Sequence, residues 1–226
     1  MTDAQFIKLR KDIIRKEFSN MNDRQFEAVT TAKGPVLVLA GAGSGKTTVL
    51  VNRISNLVKY GDAYVSDYVP NVSDEMLKTA EETFENPSAN AEIFAHNPAK
   101  PWEILAITFT NKAANELKER IENMLGESAR YIKAGTFHSI CSKILRRDGE
   151  RLGYTSHYTI YDTDDQKKVM KEVFKKLDIS DKQLHPKTVL GEISRAKDRL
   201  ITPGEYLTDA ANDPRMKLIG KAYAEY

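Results

Sequence analysis

The stretch "VLVLAGAGSGKTTVL", Val36 to Leu50, constrains the fold more than any other part of the chain. An apolar run of strand length leads into a glycine-rich loop, and the loop leads into a segment with helical spacing of apolar residues. A continuous apolar strand calls for a parallel sheet covered on both faces. Glycines in the loop let backbone N–H groups turn inward, at the positive end of the following helix, where an anion is held. The stretch therefore predicts an α/β architecture with a phosphate-binding turn.

Ala40, Gly41, Ala42, Gly43, Ser44, Gly45, Lys46 and Thr47 fit the P-loop spacing, with Ala40 where the strict pattern has glycine. In that pattern Lys46 reaches the β- and γ-phosphates, and the Thr47 hydroxyl is a ligand for Mg²⁺. The bland alternative, a glycine-rich turn between strand and helix, is disfavoured by the elements on either side. Lys46 and Thr47 are thus the expected catalytic pair, Thr47 the expected metal ligand, and ATP with Mg²⁺ the expected cofactors.

Strand and helix signals alternate around this loop. "PVLVLA" (Pro35–Ala40), "EILAITFT" (Glu103–Thr110) and "RYIKAGTFHS" read as three parallel strands, the first buried on both faces and the second also buried. The helix after the loop ends at Gly61, with Val49, Leu50, Ile54, Leu57 and Val58 as its buried stripe. "NKAANELKERIENMLG" reads as a helix with Asn111 as its candidate cap. Residues 3–18 and "NMNDRQFEAVTT" predict two helices ahead of the loop, the second capped by Asn22 or Asp23. Beyond Gly153 the pattern becomes helical, and "YDTDDQ" reads as an acid-rich helix start. The expected fold is a P-loop (RecA-like) parallel sheet flanked by helices, spanning 1–139, followed by a mostly helical domain spanning 140–226, both incomplete.

Residues 61–101 break the rhythm and read as a surface insertion with one helix near Asp74–Phe84. The net charge of +2 conceals the distribution: +5 over residues 1–60, −6 over 61–100 and +3 over 101–226. An acidic insertion repels DNA, whereas the basic remainder permits a polyanion partner. Cys141 is the single cysteine, which excludes an internal disulfide and points to a reducing, cytoplasmic setting. No stretch has the apolar length of a membrane span or the form of a signal peptide.

Four motifs, in order, resemble the first motifs of superfamily 1 DNA helicases of the UvrD/PcrA/Rep group: "NDRQFEAV", "AGAGSGKT", "AITFTNKAANELKERI" and "GTFHSICSKILRR". The resemblance covers nearly the whole chain apart from the insertion. It implies an enzyme that couples ATP hydrolysis to 3′-to-5′ translocation on single-stranded DNA and to duplex unwinding in repair or replication. Gln25 has an amide donor and acceptor that match an adenine edge, the role the family implies there; a surface glutamine is the alternative. At Thr48 the sequence departs from a common family pattern with Arg, which leaves the adenine pocket differently completed. The family assigns Phe109, Thr110 and Asn111, and likewise Thr136, Phe137 and His138, to single-stranded DNA. A core Phe with an Asn cap is the alternative at the first of these tips. The two tips and the P-loop are expected on one sheet edge, where ligands of such sheets bind.

A P-loop alone is also compatible with a small nucleotide kinase or a non-catalytic nucleotide-dependent binding module. No apolar strand in the sequence ends in Asp or Asp-Glu to share the Mg²⁺ with Thr47. The chain is therefore expected to be the N-terminal portion of a helicase that acts on single strands and duplex junctions, and to be inactive by itself.

Overall fold

Apolar residues at helical spacing build most of the chain, and among the described residues two short segments pair as strands. In a computed structural model, residues 2–41, 43–71, 91–180, 182–210 and 213–226 are described. They divide into two compact units, Met1–Ser156 and His157–Tyr226. The first unit runs past the helix that follows the second strand and ends at Ser156.

In the first unit, β1 (Leu105–Thr108) and β2 (Lys133–Thr136) form a parallel pair, with Leu105 opposite Lys133 and Thr108 opposite Thr136. α1 (Asp3–Glu17) and α2 (Asp23–Thr30) precede the glycine-rich loop, and α3 (Lys46–Lys59) follows it. α4 (Asn111–Leu125) connects the strands, and α5 (Phe137–Asp148) leaves the second. Val51 and Ile54 of α3 share one core with Ala106 of β1, Leu117 and Ile121 of α4, and Ala134 of β2. A second core joins Phe6, Ile13, Ile14 and Phe18 of α1 to Phe26 and Val29 of α2 and Val49 of α3.

The sheet corrects three expectations. Pro35–Ala40 pairs with no strand, and Leu37 and Leu39 are 83% and 88% exposed. Val36 and Val38 are less exposed, so the two faces still alternate as in an extended chain. A strand is stable only when neighbours take up its backbone N–H and C=O groups, and no described strand pairs with this segment. β1, though paired, is covered on one face: Ala106 is buried in the core with α3, but Leu105 and Ile107 are 49% and 41% exposed. Leu50 is likewise on the exposed side of α3, while Val49, Val51 and Ile54 are buried.

The acidic insertion is closed at its base. Gly61 pairs with His96, and Asp62 N–H donates to the His96 carbonyl at 2.9 Å. A Cβ on Gly61, whose φ is +64°, would lie 2.2 Å from that carbonyl oxygen, so only glycine permits the approach. The buried Asp62 carboxylate meets Lys33 Nζ at 2.7 Å and His96 Nδ1 at 2.5 Å. α1 closes the same neck: the buried Arg10 guanidinium donates to the carbonyls of Tyr68 and Ser66, and Phe6 stacks on Phe94. The helix expected near Asp74–Phe84 lies outside the described residues.

The second unit is helical, as its sequence predicts. α6 (Thr163–Lys176), α7 (Pro186–Asp198), α8 (Pro203–Asp209) and α9 (Pro214–Glu225) enclose Met170, Phe174, Val189, Ile193 and Ala222. Asp162 caps α6 by accepting from the N–H groups of Asp164 and Asp165, the role expected of "YDTDDQ". None of the described helices is long and apolar enough to cross a membrane.

Candidate nucleotide and nucleic-acid site

The loop between Ala40 and α3 is shaped by its glycines. Gly43 and Gly45 have φ of +75° and +83°, and Gly45 occupies the cap position of α3 with no side chain bonded to the helix start. The first N–H groups of a 14-residue helix are thus left for an external acceptor. Lys46 Nζ lies 3.2 Å from the Ala40 carbonyl and 2.5 Å from that of Gly41, folded back across the loop mouth. These neutral acceptors are ones an ammonium exchanges readily for phosphate oxygens. Thr47 is exposed in the first turn of α3, and Ser44 Oγ donates to the Gly41 carbonyl at 2.7 Å. Ala42 lies outside the described residues. The uncapped helix start, the glycine turn and the exposed Lys46 ammonium fit a polyphosphate. Thr47 supplies one metal-ligating oxygen, and among the described residues no group of three or more His, Cys, Asp or Glu converges to add others.

Gln25 reaches this loop from α2. Its Nε2 donates to the Ser44 carbonyl at 3.1 Å, and its Oε1 accepts from the Asn22 N–H at 3.1 Å, completing the capping box of α2. Each end of the amide keeps one further bond: an N–H on the nitrogen and a lone pair on the oxygen. That pair of vacancies is what an adenine edge takes. Thr48 faces elsewhere, lining a cleft of about 540 Å³ with Phe18, Val51 and Met124.

The strand tips lie side by side. Thr108 and Thr136 are in register, and the residues after them, Phe109 and Phe137, are 97% and 54% exposed. Thr110 is the cap of α4, its Oγ1 accepting from Ala113 N–H at 3.2 Å, which corrects the expected cap at Asn111. Threonine wins because it stands one residue earlier, in extended backbone, where its oxygen points back at the helix. Asn111 and Lys112 are left exposed in the first turn. Thr136 caps α5 in the same way, accepting from Ser139 N–H at 3.3 Å, and is buried, so its hydroxyl serves the helix. His138 is exposed, edge-on to Phe137 at 6.4 Å between ring centroids. Phe109 is therefore not a core residue, and each tip pairs an exposed ring with a helix start.

Comparison with known families decides what this arrangement belongs to. The UvrD/REP helicase N-terminal domain family matches residues 21–69 and 88–226. The chain belongs to that family. Its relatives include proteins named ATP-dependent DNA helicase PcrA: that of Staphylococcus epidermidis is 40% identical over 207 residues, and that of Leuconostoc citreum 39% identical over 209. The Staphylococcus aureus PcrA is 38% identical over 208 residues. Each match covers 92% of this chain but 23% of the relative, so the chain spans about a quarter of their length. The UvrD/PcrA resemblance carried by the four motifs is borne out. α1 precedes the segment that the UvrD/REP family matches.

Arg53 escaped the sequence reading. It projects from α3 onto the end of α2, donating from Nη1 to the carbonyls of Ala28 and Thr31. A single arginine in an amphipathic helix looks like a solvated charge until the fold shows what it faces.

Proposed function

We propose that the chain is the N-terminal, ATP-binding portion of an ATP-dependent DNA helicase, one that couples ATP hydrolysis to 3′-to-5′ translocation on single-stranded DNA and to unwinding at duplex junctions. DNA repair or replication in the cytoplasm is the setting that fits such an enzyme. The observation that carries this reading is the register of Thr108 with Thr136, which puts an exposed phenylalanine just past each of two adjacent strand ends in the unit that holds the P-loop. Bases stack on exposed rings irrespective of sequence, as a translocating enzyme requires. Phosphates are received by the starts of α4 and α5, with Lys112 nearby.

In this reading Gln25 reads the adenine, and the loop from Ala40 to Lys46 holds the phosphates. Lys46 leaves the loop carbonyls for the β- and γ-oxygens, and Thr47 is one ligand of Mg²⁺. The α3 core, shared with β1, β2 and α4, supports a mechanical link between nucleotide and strand. Pro35–Ala40 is proposed to become a strand of a fuller RecA-like sheet when neighbouring strands are present, and residues 140–226 to form the accessory domain.

The chain by itself is expected to bind nucleotide without turning it over, because among the described residues no acidic side chain at a strand end joins Thr47. Binding of an oligo-dT strand, followed by fluorescence anisotropy with and without a non-hydrolysable ATP analogue, tests the whole proposal. Affinity for the strand that responds to the analogue supports it; no measurable strand binding overturns the DNA reading. DNA-stimulated phosphate release from residues 1–226 would overturn the claim of an incomplete site.

A further inference from the structure

The contact between Gln25 and the loop depends on where α2 sits, and α2 is held at its far end by Arg53. α2 has eight residues, and its last turn carries no basic side chain to match the negative end of the helix dipole. α3 supplies the missing cation. Arg53 Nη1 lies 2.6 Å from the Ala28 carbonyl and also bonds the Thr31 carbonyl just past the helix end. Arg53 is about two turns beyond Lys46 along α3, on the helix that the phosphate loop begins. Ala28 is less than one turn from Gln25, so the pinned carbonyl and the Gln25 amide move as one rigid piece.

The contact at the other end leaves little room for movement. Gln25 Nε2 is 3.1 Å from the Ser44 carbonyl, and a Cβ on Gly45 would also lie 3.1 Å from that nitrogen. A shift of α2 by an ångström away from the loop breaks the Gln25 contact, and the close approach is possible because residue 45 carries no Cβ. We infer that Arg53 is a positioning residue for base recognition: by clamping the end of α2 onto α3, it holds the Gln25 amide in register with the phosphate loop. Preference for adenine then depends on an arginine that faces helix carbonyls and not the loop. The inference rests on the proposed reading of the loop as an ATP site with Gln25 as its base reader.

The test is titration calorimetry of the 226-residue chain with ATP, GTP and inorganic tripolyphosphate. Wild type is compared with Q25A, R53A, R53K and the Q25A/R53A double variant. The ATP-over-GTP preference should fall about tenfold in Q25A, the size of one lost hydrogen bond to the base. It should fall by a similar factor in R53A, and no further in the double variant, because both act through one amide. R53K, whose ammonium still reaches a helix carbonyl, should recover part of the loss. Tripolyphosphate affinity should stay within about twofold throughout, since no phosphate contact is removed. A wild-type ATP-over-GTP ratio in R53A with a reduced ratio in Q25A overturns the clamp and leaves base reading standing. An unchanged ratio in Q25A overturns base reading by Gln25, and the clamp with it. Equal loss of ATP and tripolyphosphate binding in R53A shows general damage and overturns positioning. If R53A melts below the assay temperature, R53Q, which keeps an N–H donor without the charge, carries the same comparison.

Discussion

Lys46 and Gly45 show how much one residue settles at the nucleotide site. Lys46 is exposed and bonds two carbonyls of its own loop, so the fold does not depend on it. K46A should leave the melting temperature within a degree or two and weaken ATP binding at least tenfold, since a hydrogen bond between charged groups contributes about 1.5–3 kcal/mol. Calorimetry with ATP alongside a thermal melt checks both halves. Gly45 is the opposite case. With φ at +83° and Gln25 Nε2 where a methyl would press, G45A should cost about 1–2 kcal/mol of stability. Urea unfolding measures that cost, and an unchanged midpoint would mean the loop accommodates a side chain. Lys46 and Gly45 were legible from their spacing alone. Arg53 was not, because its meaning lies in the carbonyls it meets on another helix.

Helices and strands differ in what they need from elsewhere. A helix closes its hydrogen bonds within itself, so the starts at Asp3, Asp23, Thr163 and Pro186 follow from local caps and periodicity. A strand borrows its partners, which is why "LAIT" and "KAGT" pair while "PVLVLA" stays single. The cap at Thr110 turns this into a measurement: T110A should destabilise α4 by about 1 kcal/mol, the usual worth of a threonine cap, whereas N111A should cost much less. F109A should leave stability unchanged, because the ring is 97% exposed, and should weaken single-strand binding by about 1–3 kcal/mol. Anisotropy with an oligo-dT probe reads the second effect; equal affinity would remove Phe109 from the DNA surface.

At the scale of the molecule, the first unit is tied together across long sequence separations by a few polar groups. Burial alone raises the pKa of Asp62, but hydrogen bonds from Lys33, His96 and Asn97 outweigh it and bring the carboxyl down to about 2. A carboxyl depressed on folding stabilises the folded state fully above its ordinary value of 3.8, and that contribution is lost as pH falls toward 2. The melting-temperature gap between wild type and D62N should therefore be constant above about pH 4.5 and shrink steadily below it. A gap that persists at pH 2 would assign the stabilisation to packing. The acidic excursion was visible in composition, but Asp62, Lys33 and His96 are too far apart in sequence to announce a shared site. The sequence by itself determined what is local: the glycine-rich phosphate turn, the caps, the helical stripes and the order of the four motifs. Only the tertiary structure decided which side chains meet and which strands pair. Gln25 came to Ser44, Arg53 to Ala28, Asp62 to His96, and Thr108 into register with Thr136. Periodicity specifies the face a residue is on, but the partner across that face comes from a distant segment that only folding brings near.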